Sequence, residues 1–454
     1  MKKSITLIIA LFFTAGAAFA QNTASTNTNG SDNTATVEQT EGSGNDATIE
    51  QGTDTGGGIG LSNNSSALIM QINGTGNTSS ISQGTDGGTS DGDMAITDQM
   101  GGINNLANIE QSDDGGVGTL NRATATQIDG SENQARIGQA DNGNGNENVA
   151  NLTQDGGVSN YADVEQANNG NGNLNTATTF QTGGTNNELF VDQGDDGGSG
   201  NRNDAVVEQI GGSMNRAVVE QAEASGTGNA NMALVRQYGN RNNADVDQAA
   251  NGLVSGSINT AEMTQDGDDN FAFINQTGDM NTAKMNQVGS RNDWQISQMG
   301  EGHNADIGSI RGSVNDNVVT ITQTASGNDA RFYFEEAEDN GSINPLSVVQ
   351  SGSYNQLRFY IANPGGGDTS SGNAVMMTQS GDRNIMNGDM RGDDNTLTLL
   401  QSGDDNQFGT NILGGVGFFV KGEGNTATVS QLSDGNMATL NQIGDGNTAT
   451  ITQD

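Results

Sequence analysis

Carboxylates and side-chain amides are the groups in this chain whose spacing could do chemistry. Acid pairs sit in Gly-rich stretches at Asp113-Asp114, Asp195-Asp196, Asp266-Gly267-Asp268-Asp269 and Asp404-Asp405. Hard oxygen donors of this kind suit calcium. The Gly-Gly-x-Gly-x-Asp nonapeptide of secreted calcium β-rolls does not recur, however, and Asp and Gly also make good turns. The acids are therefore read as turn formers, and no metal site is assigned. His303 is the single histidine and there is no cysteine, so neither a thiolate metal site nor a base with partners can be assembled. No constellation supports catalysis; neither an enzyme nor a cofactor is expected. Thr-Ala-Thr triplets at Thr34/Thr36, Thr124/Thr126, Thr426/Thr428 and Thr448/Thr450 could suggest an ice-binding row. Charged residues interrupt that column, and β-propensity accounts for the threonines.

The amides are different, because they recur at fixed offsets. Asn precedes Gln by six residues in Asn33/Gln39, Asn45/Gln51, Asn105/Gln111, Asn160/Gln166, Asn215/Gln221, Asn281/Gln287, Asn425/Gln431, Asn436/Gln442 and Asn447/Gln453, with Ala and usually an aliphatic residue between. The unit reads Asn-x-Ala-x-aliphatic-x-Gln, followed at its most regular by four residues rich in Gly and Asp. Roughly thirty copies, counting degenerate ones, cover nearly all of the chain. A buried amide is costly unless hydrogen-bonded. Stacked in register, each amide can donate to one neighbour and accept from the other, so Asn and Gln ladders are the expected site.

Positions two apart share one face of a strand, whereas a helix would scatter them. Each unit is therefore read as a seven-residue strand and a tight turn. Gaps between successive Gln residues alternate short and long in the first half, Gln39, Gln51, Gln71, Gln83, and become regular from Gln265 to Gln298. Alternation predicts a two-strand rung with a tight turn on one side and a longer loop on the other. The fold class is all-β: a repetitive two-sheet β-solenoid, cross-β-like, of about sixteen two-strand rungs.

Composition excludes other classes. Only 31% of the 454 residues are hydrophobic, 68 are glycine, and the net charge is −39. So little apolar surface would not offset the entropy of ordering one large central core. Such an acidic chain would repel nucleic acid. Lys2 and Lys3, an apolar run over residues 5–18 and Ala18-Phe19-Ala20 read as an export signal too short to span a bilayer. The expected organisation is 1–20 signal peptide, 21–32 short polar leader, 33–300 regular repeats, 301–420 degenerate repeats with longer loops, and 421–454 regular repeats. The degenerate part gathers aromatics, among them Phe332, Phe359 and Phe418, and lacks the closing Gln near His303, Phe334, Ile361, Met390 and Ile412.

The C-terminal series Asn425-x5-Gln431-x4-Asn436-x5-Gln442-x4-Asn447-x5-Gln453 resembles the curlin repeat, over roughly residues 31–454. The resemblance implies a secreted subunit of extracellular curli-like amyloid fibres on the bacterial surface, serving biofilm matrix and adhesion. It also implies a nucleating subunit and an outer-membrane secretion pore as partners, beside self-association. Whether the chain would be bulk subunit, nucleator or accessory adhesin stays open, with a monomeric adhesin or a calcium-binding solenoid as alternatives. Consensus strands without caps at either end predict templated addition of strands. Outward Glu38, Glu50, Glu110, Glu165, Glu208 and Glu220 should repel when stacked, so salt, calcium or mild acid should speed assembly.

Overall fold

The structure, a computed structural model, describes residues 22–53, 60–194, 197–222, 227–249, 255–311, 315–335, 343–362, 372–409 and 418–454. The expected signal segment lies outside these residues, as do Asp195 and Asp196. Every regular element described is a β-strand, and the described residues contain no helix long and apolar enough to cross a membrane. Period-two patterning explains the strands: in Arg122–Ile128, RATATQI, Ala123, Ala125 and Gln127 are buried while the residues between them are not. The strands wind into parallel β-solenoid, in two compact units. The first runs to Asn240 and includes Asp247–Ile258; the second comprises Arg241–Val246 and Asn259–Asp454.

A rung of the first unit has three faces. Leu106–Gln111 forms the first, Val117–Thr119 the third and Arg122–Ile128 the second. Each pairs in parallel with its equivalent in the next rung: with Gln134–Gln139, Asn144–Asn146 and Val149–Asp155. The expectation of two strands per rung is corrected here. The supposed long loop carries a three-residue strand, and these strands form a nine-stranded parallel sheet from Gly30–Ser31 to Ser255–Ser257. Its physical basis is a small middle residue. A Cβ on Gly118 would lie 2.0 Å from Ser112 Oγ and 2.4 Å from Asn121 Nδ2, so only a very small residue brings the backbone in to pair. The expected leader also has structure: Thr23–Thr28 pairs with Asp46–Gln51.

Among its described residues the second unit has no strand on a third face. Thr260–Asp266 pairs with Thr282–Val288, and Phe271–Thr277 with Asp293–Glu301, leaving two strands and two turns per rung. The degenerate stretch keeps this architecture: Asp329–Glu335 pairs with Gln356–Ala362 residue for residue. What changes is the filling. Phe332, Phe359, Phe408 and Phe418 are buried, with ring centroids 6.2 Å apart for Phe332–Phe359, 6.4 Å for Phe359–Phe418 and 5.0 Å for Phe408–Phe418. Gly388 makes the room, since a Cβ there would meet the Phe418 ring at 2.2 Å.

Candidate functional site: the amide ladders

Glutamine stands at or next to the end of most of the longer strands, and parallel in-register pairing sets it directly beside the glutamine of the next rung. In the first unit, Gln39 donates to Gln71 at 2.7 Å, Gln51 to Gln83 at 2.8 Å, Gln111 to Gln139 at 2.8 Å, Gln166 to Gln193 at 2.8 Å and Gln221 to Gln248 at 2.7 Å. The second amide hydrogen goes to backbone. Gln127 Nε2, for example, reaches Gln154 Oε1 at 2.8 Å and the Leu106 carbonyl at 2.9 Å. Two such files run in the first unit, and nearly all their members are fully buried. Leaving such an amide without partners costs about 1–3 kcal/mol, so the file selects a register as well as filling space.

In the second unit one file continues. Gln276 donates to Gln298, and the chain of bonds runs through Gln323, Gln350, Gln379 and Gln401 to Gln431 and Gln453. The other is interrupted. Gln287 accepts from Gln265 at 2.9 Å and donates to the Phe271 carbonyl. Further along, Met390 and Val420 occupy the position before Gln442 takes it again. Gln442 accordingly donates to a carbonyl, that of Thr426, at 3.2 Å.

Asparagine does something else, which sequence spacing did not reveal. Its Oδ1 accepts the backbone N–H of the Asn in the next rung: Asn77 N to Asn45, Asn133 N to Asn105, Asn187 N to Asn160 and Asn447 N to Asn425, at 2.9–3.1 Å. Its Nδ2 donates to a carbonyl, usually of a turn: Asn105 to Asp129, Asn160 to Gly183, Asn215 to Gly239, Asn281 to Gly300 and Asn33 to Ser62, at 2.7–3.0 Å. Asn436 Nδ2 bonds the Ser433 carbonyl. One methylene fewer keeps the amide at the corner, so Asn joins the turns of successive rungs where Gln joins the ends of their strands. Direct Asn-to-Asn side-chain bonds occur at some second-unit corners, as from Asn425 to Asn395 at 3.0 Å.

His303 stands in this Asn file and behaves as an asparagine. Its Nδ1 lies 3.3 Å from the Asn328 N–H and its Nε2 3.2 Å from the Met299 carbonyl. This fits the neutral tautomer protonated on Nε2, and burial lowers its pKa. Trp294, in an Ala position, is fully buried.

The acids divide by unit. In the first, Glu165, Asp192 and Glu220 stack in consecutive rungs, but Ser82 and Gly138 interrupt the same column. Arg136 bridges Glu110, Asp163 and Glu165 across that gap. In the second, turn acids pair with turn arginines: Arg241 with Asp269, Arg291 with Asp316 and Arg383 with Asp405. Asp86, Asp113 and Asp114 bring carboxylate oxygens within 4.8 Å of one another. Nearby Asp141 is pushed up to about 7 by burial and by the charges of Glu110, Asp113 and Asp114.

A solenoid whose rungs are joined by in-register amide files is a repeat protein, its stability a sum of similar neighbour contacts. The curlin associated repeat family matches residues 256–289 and 422–454, so the chain carries curlin repeats in those two stretches. No curated protein matches the chain.

Proposed function

We propose that the chain is a secreted structural subunit of curli-like extracellular amyloid fibres, built by templated addition of strands and supporting biofilm matrix and adhesion. One observation carries this reading. Successive rungs offer the same edge, with Gln401 presented to Gln431 as Gln431 is presented to Gln453. An incoming copy that places its own Asn and Gln in register therefore meets the contacts already made inside the chain. The curlin repeats in two stretches support the same reading. The reading takes as partners a nucleating subunit and an outer-membrane pore.

The test is to refold the chain from about Gln21 onward from denaturant and follow thioflavin T with and without preformed seeds. A lag abolished by seeds, with fibre reflections at ~4.7 and ~10 Å, is the expected result. Folded β-rich monomers that stay in solution at high concentration would instead establish a soluble binding solenoid. Stacked acids add a second readout: growth quickens with salt or mild acid, and equal rates at low and high ionic strength would remove charge repulsion from the account.

A further inference from the structure

One buried position breaks the neutrality of the amide files. At the corner where the second face of the first unit begins, Asn121, Asn148 and Asn175 each donate Nδ2 to the inner glycine of the next rung, Gly145, Gly172 and Gly200, at 3.1–3.2 Å. Asp93 occupies this file and is fully buried. Its Oδ1 does what an Asn would, accepting the Asn121 N–H at 2.8 Å. Its Oδ2 takes the place of the donor and lies against Gly118, whose added Cβ would be 3.4 Å from it. An ionised carboxylate has no hydrogen to give there, whereas a carboxylic acid has one.

The surrounding residues are matched to this acid. Ser90 Oγ donates to Oδ2 at 2.7 Å and Ser112 Oγ at 3.0 Å, while Ser65 Oγ sits 2.8 Å from Ser90 Oγ. In the next rungs the position of Ser90 is taken by Gly118 and Gly145. The residue after the closing Gln, Ser112 here, becomes Ala140 and Ala167. Asp91, on the same rung, is the charged group acting on Asp93; Ser65 and Asn121 in the flanking rungs are neutral.

We infer that Asp93 is a proton-gated link in the first unit, completing its corner file when protonated and loosening it when ionised. Burial pushes its carboxyl up to about 6 from 3.8, against three hydrogen bonds that lower it. The folded state therefore holds a proton that the unfolded chain has lost. Stability is fully present below about 4, declines as pH rises to about 6, and stays lower above, by roughly a hundredfold in the opening equilibrium.

Hydrogen exchange of the full chain, corrected for intrinsic rates, tests this. Segment 117–121, beside Asp93, is compared with its equivalent 171–175; neither carries an ionisable side chain, and the first leaves out Asp113 and Asp114. Protection of the first should fall between pH 4 and pH 7 and that of the second should not. In D93N the fall should vanish, with about a hundredfold gain over the parent chain at pH 8 and almost none at pH 4. A gain independent of pH, or lower protection in D93N at pH 8, would overturn the inference. Should D93N not fold, parallel behaviour of the two segments in the parent chain would overturn it equally.

Discussion

The first unit spends 28 residues on a rung from Gln111 to Gln139, and the second spends 22 from Gln265 to Gln287. The longer rung has three faces and two glutamine files. The shorter has two faces, with one file uninterrupted and the other giving way to the buried Met390 and Val420. Both meet the same requirement, a narrow interior in which nearly every buried amide is hydrogen-bonded, by different means. In the first unit, polar groups are retained because every rung repeats them. In the second, the repeat lapses on one side, and an isolated amide there would be costly, so apolar side chains take its place.

The largest effect should come from the aromatic cluster. Phe418→Ala removes a ring packed on both Phe359 and Phe408 and should cost about 3–5 kcal/mol. Denaturant unfolding followed by hydrogen exchange should place the loss in the second unit and leave the first protected. Next comes Gln139→Leu, which strands the Gln111 donor and the Gln166 acceptor. About 2–4 kcal/mol should go from the first unit; an effect near zero would mean that the files fill space without joining rungs. Gly388→Ala forces a methyl into the Phe418 ring and should cost about 1–3 kcal/mol. Phe418→Leu in the same chain should recover part of that, a coupling read from a double-mutant cycle.

The smallest effect is a pH dependence of opposite sign to that of Asp93. Because burial lowers the pKa of His303, its folded state favours the neutral ring. Stability is lost as pH falls from about 6.5 toward that lowered value. His303→Asn keeps the acceptor for the Asn328 N–H and should flatten this acid-side loss, measured as the denaturation midpoint between pH 7 and 5.

Much of this was legible in the sequence because the constraint is repeated. A period of two between Asn, Ala, aliphatic and Gln fixes both strand and inward face, and many copies fix the parallel stacking. The third face was not, because a three-residue strand such as Asn144–Asn146, Asn-Gly-Asn, reads as a turn by composition. The available signal was its recurrence: Val117-Gly-Thr, Asn144-Gly-Asn, Asn171-Gly-Asn and Ser199-Gly-Asn arrive once per rung. The distinct duty of Asn was also hidden, since spacing gives a residue its face but not the reach of its side chain. Asp93 differs from Asn by one atom and stands at one rung only. Only its burial beside Ser90 and Ser112 marks it out.

The glutamine files also have a direction. Gln39 gives its hydrogen to Gln71, Gln71 to Gln99 and Gln99 to Gln127, so the amide dipoles along a unit add instead of cancelling and polarise one another. A stack of this kind has an electrical head and tail, with N–H groups turned toward later rungs and oxygens toward earlier ones. A head-to-tail joint between two copies would therefore set donor against oxygen. A head-to-head joint would set donor against donor, and a tail-to-tail joint oxygen against oxygen, so the sense of the chain would be inherited by whatever is built from it.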